Sequence, residues 1–275
     1  VMKSRRNLSL PAGLVIVSLA LLISLLSIIW TPCDPQVMDL QSRFAGPSAR
    51  HLLGCDHFGR DILSRIMSAT ATALGSGLLS VTLGALCGIA AGLAAALAPR
   101  FASSLLMRLV DALMAFPTIL VALTLAAVIG KGLFPSVAAV CLAMIPSFSR
   151  MTYTMILEGR NALYIRAAQS YGANVFRIAF FHLLPSLMTR LVTQFTSSVG
   201  SAILLESSLS FLGLGIQPPD ASLGMMLSEA RSYALTQPWQ AVPAGLVLLI
   251  LVLGFNLLGD GLNELIQSDK GARHV

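Results

Sequence analysis

Six stretches of this chain are predominantly apolar, at about 10–30, 69–98, 105–129, 134–156, 187–205 and 241–258. An α-helix rises ~1.5 Å per residue, so about 20 residues cross the ~30 Å hydrocarbon core of a bilayer. Only 11% of the 275 residues are charged and 56% are hydrophobic. Soluble domains carry roughly 25% charge, so these runs cannot all be hidden behind a water-facing surface. The expected fold is an all-α membrane protein with about six transmembrane helices in a single domain.

Lys3, Arg5 and Arg6 precede the first run, a flank that signal peptides share. A signal peptide's apolar core is about 7–15 residues and ends near a small-residue cleavage site. This run is longer and no such site follows, so it reads as an uncleaved first helix. Orientation follows from Lys and Arg in the connections. With the N-terminus inside, twelve basic residues fall on the inner side (Lys3, Arg5, Arg6, Arg100, Arg108, Arg150, Arg160, Arg166, Arg177, Arg190, Lys270, Arg273) and six on the outer side (Arg43, Arg50, Arg60, Arg65, Lys131, Arg231). Both termini and the segment 158–185 are therefore expected in the cytoplasm, and a polar loop at about 31–67 outside.

The second run carries Gly84, Gly88 and Gly92, spaced by four on one helix face. Such small-residue spacing admits a second helix at close range, and bundle packing is the expected use. Enzyme constellations are missing. The three lysines Lys3, Lys131 and Lys270 stand outside any phosphate-binding G-x-x-x-x-G-K-[ST] loop, and neither H-E-x-x-H nor G-x-S-x-G occurs. ATP binding by that route is not expected, nor a cofactor in this chain. The net charge of +6 is spread singly between apolar runs, without the basic patch that nucleic acid requires.

The eleven methionines, Met107, Met114, Met144 and Met155 among them, lie mostly singly in apolar runs as helix-packing residues. None of Cys33, Cys55, Cys87 and Cys141 forms a C-x-x-C pair. Cys87 and Cys141 read as small core residues; Cys33 and Cys55 share the outer loop as a disulfide or as two thiols. His51 and His57 share that loop with several acids, which suits a solvated loop or a weak metal contact; no metal site is expected.

The inner segment reads Tyr164-Ile165-Arg166-Ala167-Ala168-Gln169-Ser170-Tyr171-Gly172, then Val175, Ile178 and Leu183-Leu184-Pro185. Alanine favours helix and Gly172 can stop one, so a short helix, a turn and a second short helix are expected. Such a unit fits a groove on a partner or a plain amphipathic connector on the membrane face.

Its Ala-Ala-x-x-x-Gly pattern with a downstream Ile and Leu-Pro resembles the "EAA" coupling motif of bacterial ABC importer permeases. The resemblance implies ATPase-coupling roles for Arg166, Ala167, Ala168, Gly172, Ile178 and Pro185, with Arg166 standing where that family has Glu. Four further stretches resemble the dipeptide/oligopeptide/nickel branch. Residues 53–65 are similar to LGTDxxGRDxxSR through Gly54, Asp56, Gly59, Arg60 and Asp61, with Cys55 for Thr. Arg108, Asp111 and Pro117 are similar to RxxDxxxAFP. Glu206, Gly213 and Gly215 lie in E-x-x-LSFLGLG-x-x-P, and Asn256 and Asp260 in FNLLGD. The usual RDxLDP after it is replaced by Asn263-Glu264-Leu265-Ile266-Gln267.

The resemblance covers about residues 10–265. It implies a type I ABC importer-like permease of the C type in the bacterial inner membrane, forming half a channel. The implied partners are a second related permease, two ABC ATPase subunits and an extracytoplasmic binding protein, with ATP hydrolysed on the separate subunits. Its wording is closest to nickel and metal-chelate permeases, with dipeptide or oligopeptide import as the alternative. Within these motifs, Arg108 and Asp111 share a helix face and are expected to pair. Pro117 should kink the third span. Glu206, near an outer helix end, should be partnered or close to water.

Overall fold

The computed structural model describes residues 9–272 apart from 161, 162, 164, 166–169, 172, 173, 179, 180, 182 and 183. Every regular element among them is helical: α1 Ser9–Ile29, α2 Ile62–Leu97, α3 Arg100–Met114, α4 Thr118–Ile129, α5 Leu133–Gly159, the single turn α6 Val175–Ile178, α7 Leu184–Phe211, α8 Leu223–Arg231 and α9 Ala241–Ala272. The all-α expectation holds. Among the described residues, four helices are long and apolar enough to cross a membrane: α1, α2, α5 and α9 with the turn that leads into it. The pair α3 and α4 is apolar enough to make a fifth if the two are taken together as one span. The 28 residues of α7 are long enough at ~1.5 Å each to cross as well, but its apolar residues are interrupted by Ser, Thr and Gln.

Two boundaries differ from the sequence reading for identifiable reasons. The outer loop was expected to reach residue 67, but α2 begins at Ile62, where the Asp61 carboxylate accepts a hydrogen bond from the Ser64 backbone N–H at 2.8 Å. A carboxylate there satisfies an otherwise unpaired donor of the first turn. The third span was expected as one kinked helix and is instead broken, with α3 and α4 meeting at 93°. Pro117 supplies no backbone donor and disfavours helical geometry at Phe116, so the helix cannot run through.

Close backbone contacts fix the relative helix directions. On α2, Gly84 faces Cys141 and Met144 of α5, Gly88 faces Ile145 and Phe148, and Gly92 faces Ser149 and Thr152, so α2 and α5 run parallel. Leu10, Gly13 and Ile16 of α1 meet Gly261, Leu258 and Gly254 of α9, which makes that pair antiparallel. Gly200 against Val252 and Phe255, with Ser197 against Gly259, makes α7 and α9 antiparallel too. Six alternating crossings, counting α3 and α4 as one, have these same relations. The N-terminal end of α1 and the C-terminal end of α9 lie on one side. The outward faces of α1 and α9 expose Leu14, Leu22, Leu25, Leu246, Leu249 and Leu253, as lipid contact requires.

Candidate functional site

The connection from α1 to α2 is built around one carboxylate. Asp56 Oδ1 accepts from the backbone N–H groups of Phe58 (2.8 Å) and Arg60 (3.0 Å), closing a tight turn. Gly59 completes it at φ +75°, and a Cβ there would overlap the Asp39 carbonyl, so both the backbone angle and the space call for glycine. Asp56 Oδ2 accepts from Arg60 Nε and Arg65 Nη1, each at 2.7 Å. The two guanidiniums also reach Glu229 on α8, Arg60 Nη2 at 2.9 Å and Arg65 Nη2 at 3.2 Å. Two carboxylates and two guanidiniums thus form a neutral clasp between the outer loop, the start of α2 and α8. Arg65 is 1% exposed, with both terminal nitrogens bound to carboxylates and its Nε without a hydrogen-bond partner among the described residues.

Burial raises the Glu229 carboxyl above its ordinary range, opposed by Arg60. Burial lowers the His57 imidazole, opposed by the Glu229 charge. The recess beside the clasp, lined by Asp56, His57 and Glu229, has a volume of about 10 Å³, space for one water and not for a solute. The clasp is therefore a structural latch. Gly54, Asp56, Gly59 and Arg60 of the sequence reading come together here, and Asp61 caps α2 next to them. Arg65, read as an outer basic residue and a motif position without a role of its own, and Glu229, not singled out at all, are its missing half.

The Arg108–Asp111 pairing is corrected by the structure. Asp111 is bound by Arg150 of α5 instead, at 3.0 Å. Spacing along one helix allowed the expected pair, but the packing of α3 against α5 supplies a better-placed guanidinium. Pro117 marks the break between α3 and α4. Glu206 is 1% exposed and accepts from Ser210 Oγ at 2.6 Å, partnered near the outer end of α7 as expected. Ser210 Oγ in turn accepts from the Ile216 backbone N–H at 3.0 Å. Gly213 turns the chain at φ +77°, and Gly215 lies against Ser210. Asn256 and Asp260 share one exposed face of α9.

Between α4, α5 and α7 lies an open cavity of about 380 Å³. Thr118, Ser147, Gln194, Ser198, Ser201 and Ser208 give it hydroxyls and an amide, set among Met144 and leucines. A second cavity of about 310 Å³, bounded by α3, α4 and α5, shares Thr118 and Ser147 with it and is more apolar. Among the described residues, no charged one lines either cavity. Thr118, the first residue of α4 after the break at Pro117, lines both cavities. Sequence inspection missed the cavity because lone serines in apolar helices carry no pattern; only α7 read as a row, Gln194, Ser198, Ser201, Ser208, points to it.

Of the coupling residues, Arg166, Ala167, Ala168 and Gly172 lie outside the described residues. Ile178 is buried at the end of α6, and Pro185 lies in the first turn of α7. Leu163, Tyr171 and Phe181 in the same segment are 82%, 92% and 76% exposed, large apolar groups presented outward. Among the described residues, two groups of donors could hold a metal ion, Cys33–His51–Asp61 and Asp56–His57–Glu229. All four cysteines are free thiols, Cys33 and Cys55 included. Burial pushes the Cys55 thiol up to about 11.

Residues 84–270 match the family described as binding-protein-dependent transport system inner membrane component. The chain is similar to the nickel transport system permease protein NikC of Escherichia coli (strain K12), at 37% identity over 97% of this chain and 96% of that protein. It is similar to the glutathione transport system permease protein GsiD of Pectobacterium atrosepticum, at 39% identity over 96% and 87%. Against the dipeptide transport system permease protein DppC of Alkalihalophilus pseudofirmus the identity is 34%, over 96% and 86%.

Proposed function

This chain belongs to the binding-protein-dependent transport system inner membrane components, and from that premise we propose that the cavity between α4, α5 and α7 is its half of a solute pathway. The chain is a multi-pass inner-membrane protein, a permease subunit of an ABC importer. The observation that carries the pathway reading is the uncharged, hydroxyl-lined wall, set on the helix broken at Pro117. Small polar groups along helices can replace part of a solute's hydration without holding it.

The partners in this reading are a second permease completing the pathway, two ATPase subunits and an extracytoplasmic binding protein. ATP is hydrolysed on the separate subunits, and this chain needs no cofactor of its own. The segment 158–185 carries the coupling, with the outward Leu163, Tyr171 and Phe181 supporting a docking role. For the cargo we propose a transition metal, nickel among them, as a chelate of low net charge. A bare dication would meet no compensating charge on this wall, and an uncompensated ion away from water is costly. Dipeptide or glutathione is the second reading, supported equally by relatives named for those solutes.

The test is uptake in cells lacking this chain, with and without its return, using radiolabelled nickel (free and chelated), dipeptide and glutathione. Restored ATP-dependent uptake of chelated nickel supports the first reading. Restoration of peptide or glutathione uptake alone moves the cargo to the second. To test the pathway, Ser201→Arg should stop uptake of any of them at normal expression; unchanged uptake would sink the assignment of the cavity.

A further inference from the structure

We propose that Cys33, His51 and Asp61 form a binding site for a divalent transition-metal cation on the outer face of the protein. Their donor atoms all lie within 4.8 Å of one another. They come from three places in the chain: the segment leaving α1, the outer loop, and the cap of α2. Each is held by its own hydrogen bonds. The Cys33 backbone N–H donates to Ser64 Oγ at 3.0 Å, and Ser64 Oγ donates to Asp61 Oδ2 at 2.7 Å. The His51 backbone N–H donates to Ser48 Oγ at 3.1 Å, and its carbonyl accepts from Ser48 and Gly54. Asp61 Oδ1 stands 3.0 Å from His51 Nδ1, already the spacing of two donors on one ion.

The donor set decides the class of ion. A thiolate and an imidazole beside one carboxylate favour borderline cations such as Zn²⁺, Co²⁺ and Ni²⁺, and disfavour Mg²⁺ and Ca²⁺, which take oxygen. Metal–donor lengths of about 2.0–2.3 Å place tetrahedral donors roughly 3–4 Å apart, so about 1 Å of side-chain adjustment closes the set. On binding, the Cys33 thiol gives its proton to solvent. The ring proton of His51 moves from Nδ1 to Nε2, and the ion takes its place between Nδ1 and Asp61 Oδ1. Thiolate and carboxylate together then neutralise the dication. The Asp61 side chain is 1% exposed and that of His51 15%, while Cys33 is half-buried, which leaves one side open for a water or an incoming ligand.

The neighbouring Asp56–His57–Glu229 group does not compete. Its carboxylates are bound to Arg60 and Arg65, whose positive charges repel a cation. The site also stands apart from the cargo, since it is a property of the outer loop whatever the importer carries.

The test uses the complex purified in detergent, reduced and freed of reductant, without binding protein or ATP, and titrated with CoCl₂. One equivalent should bind with a thiolate-to-cobalt charge-transfer absorption. Cys33→Ser, eluting as the unaltered protein does, should lose that absorption, and His51→Gln should weaken binding at least tenfold. An absent band while Cys33 reacts as a free thiol would overturn the site. A band that survives in Cys33→Ser would do the same, as would a peptide map showing Cys33 joined to Cys55 in protein isolated from cells without reductant. Because no transport is measured, failure here and failure of the cargo reading are separate results.

Discussion

At the scale of single residues, the outer face depends on charges that cancel only as a set. Arg60 and Arg65 are buried, and Asp56 accepts from both through one oxygen. Asp56→Asn keeps the shape and leaves two guanidiniums against Glu229 alone. Breaking a buried ion pair on one side costs about 3–5 kcal/mol, because the surviving charge stays out of water. In a chain of this size about 3 kcal/mol corresponds to a fall of roughly 6 °C or more in thermal midpoint. The purified complex should show that fall by differential scanning fluorimetry, and Asp56→Asn combined with Arg65→Met should recover part of it. An unchanged midpoint in the single variant would mean the clasp carries no stability. The turn residues Gly54, Asp56, Gly59 and Arg60 were legible as a motif. Arg65 was legible as the last residue of that motif but its role was not, and Glu229 was not legible, because nothing local marks a partner 164 positions along the chain (229 − 65).

Among the elements, the seam between α2 and α5 is the most constrained. A Cβ on Gly88 would stand 2.6 Å from Phe148 Cβ and 2.7 Å from the Ile145 carbonyl, and neither can move without shifting α5. Extra atoms in a packed seam cost about 1–3 kcal/mol. Gly88→Leu should therefore lower the thermal midpoint or the folded yield measured by fluorescence-detected size exclusion. Gly75→Leu is the control, since nothing lies within 4 Å of it. Equal behaviour of the two would remove the seam's special status. The spacing of Gly84, Gly88 and Gly92 announced a close helix contact, but not which helix. The apolar runs likewise located the helices well and their ends poorly. Capping by Asp61 and the buried Arg65 extend α2 into residues that look like loop. Pro117 was read as a kink in the third span; its position was right, but the helix breaks there at 93° instead of bending.

For the whole molecule, the helix directions call for an arrangement that a reporter can check. Fusions of a cytoplasm-dependent fluorescent protein to either terminus should be bright, and alkaline phosphatase placed after residue 48 should be active. A dark C-terminal fusion would mean an odd number of crossings. The cavity was the part of the molecule least visible in sequence, since Thr118, Ser147 and Ser201 meet only after three helices pack. Its lack of charge also bears on speed. Every ~1.4 kcal/mol of added affinity divides an equilibrium dissociation constant by ten, and such tightening appears mainly as slower departure. A wall of hydroxyls offers shallow wells, so a solute on the proposed route dwells briefly at each. Residence time is then governed by how long the two ends stay shut, and turnover by the motor that opens them rather than by release from the wall.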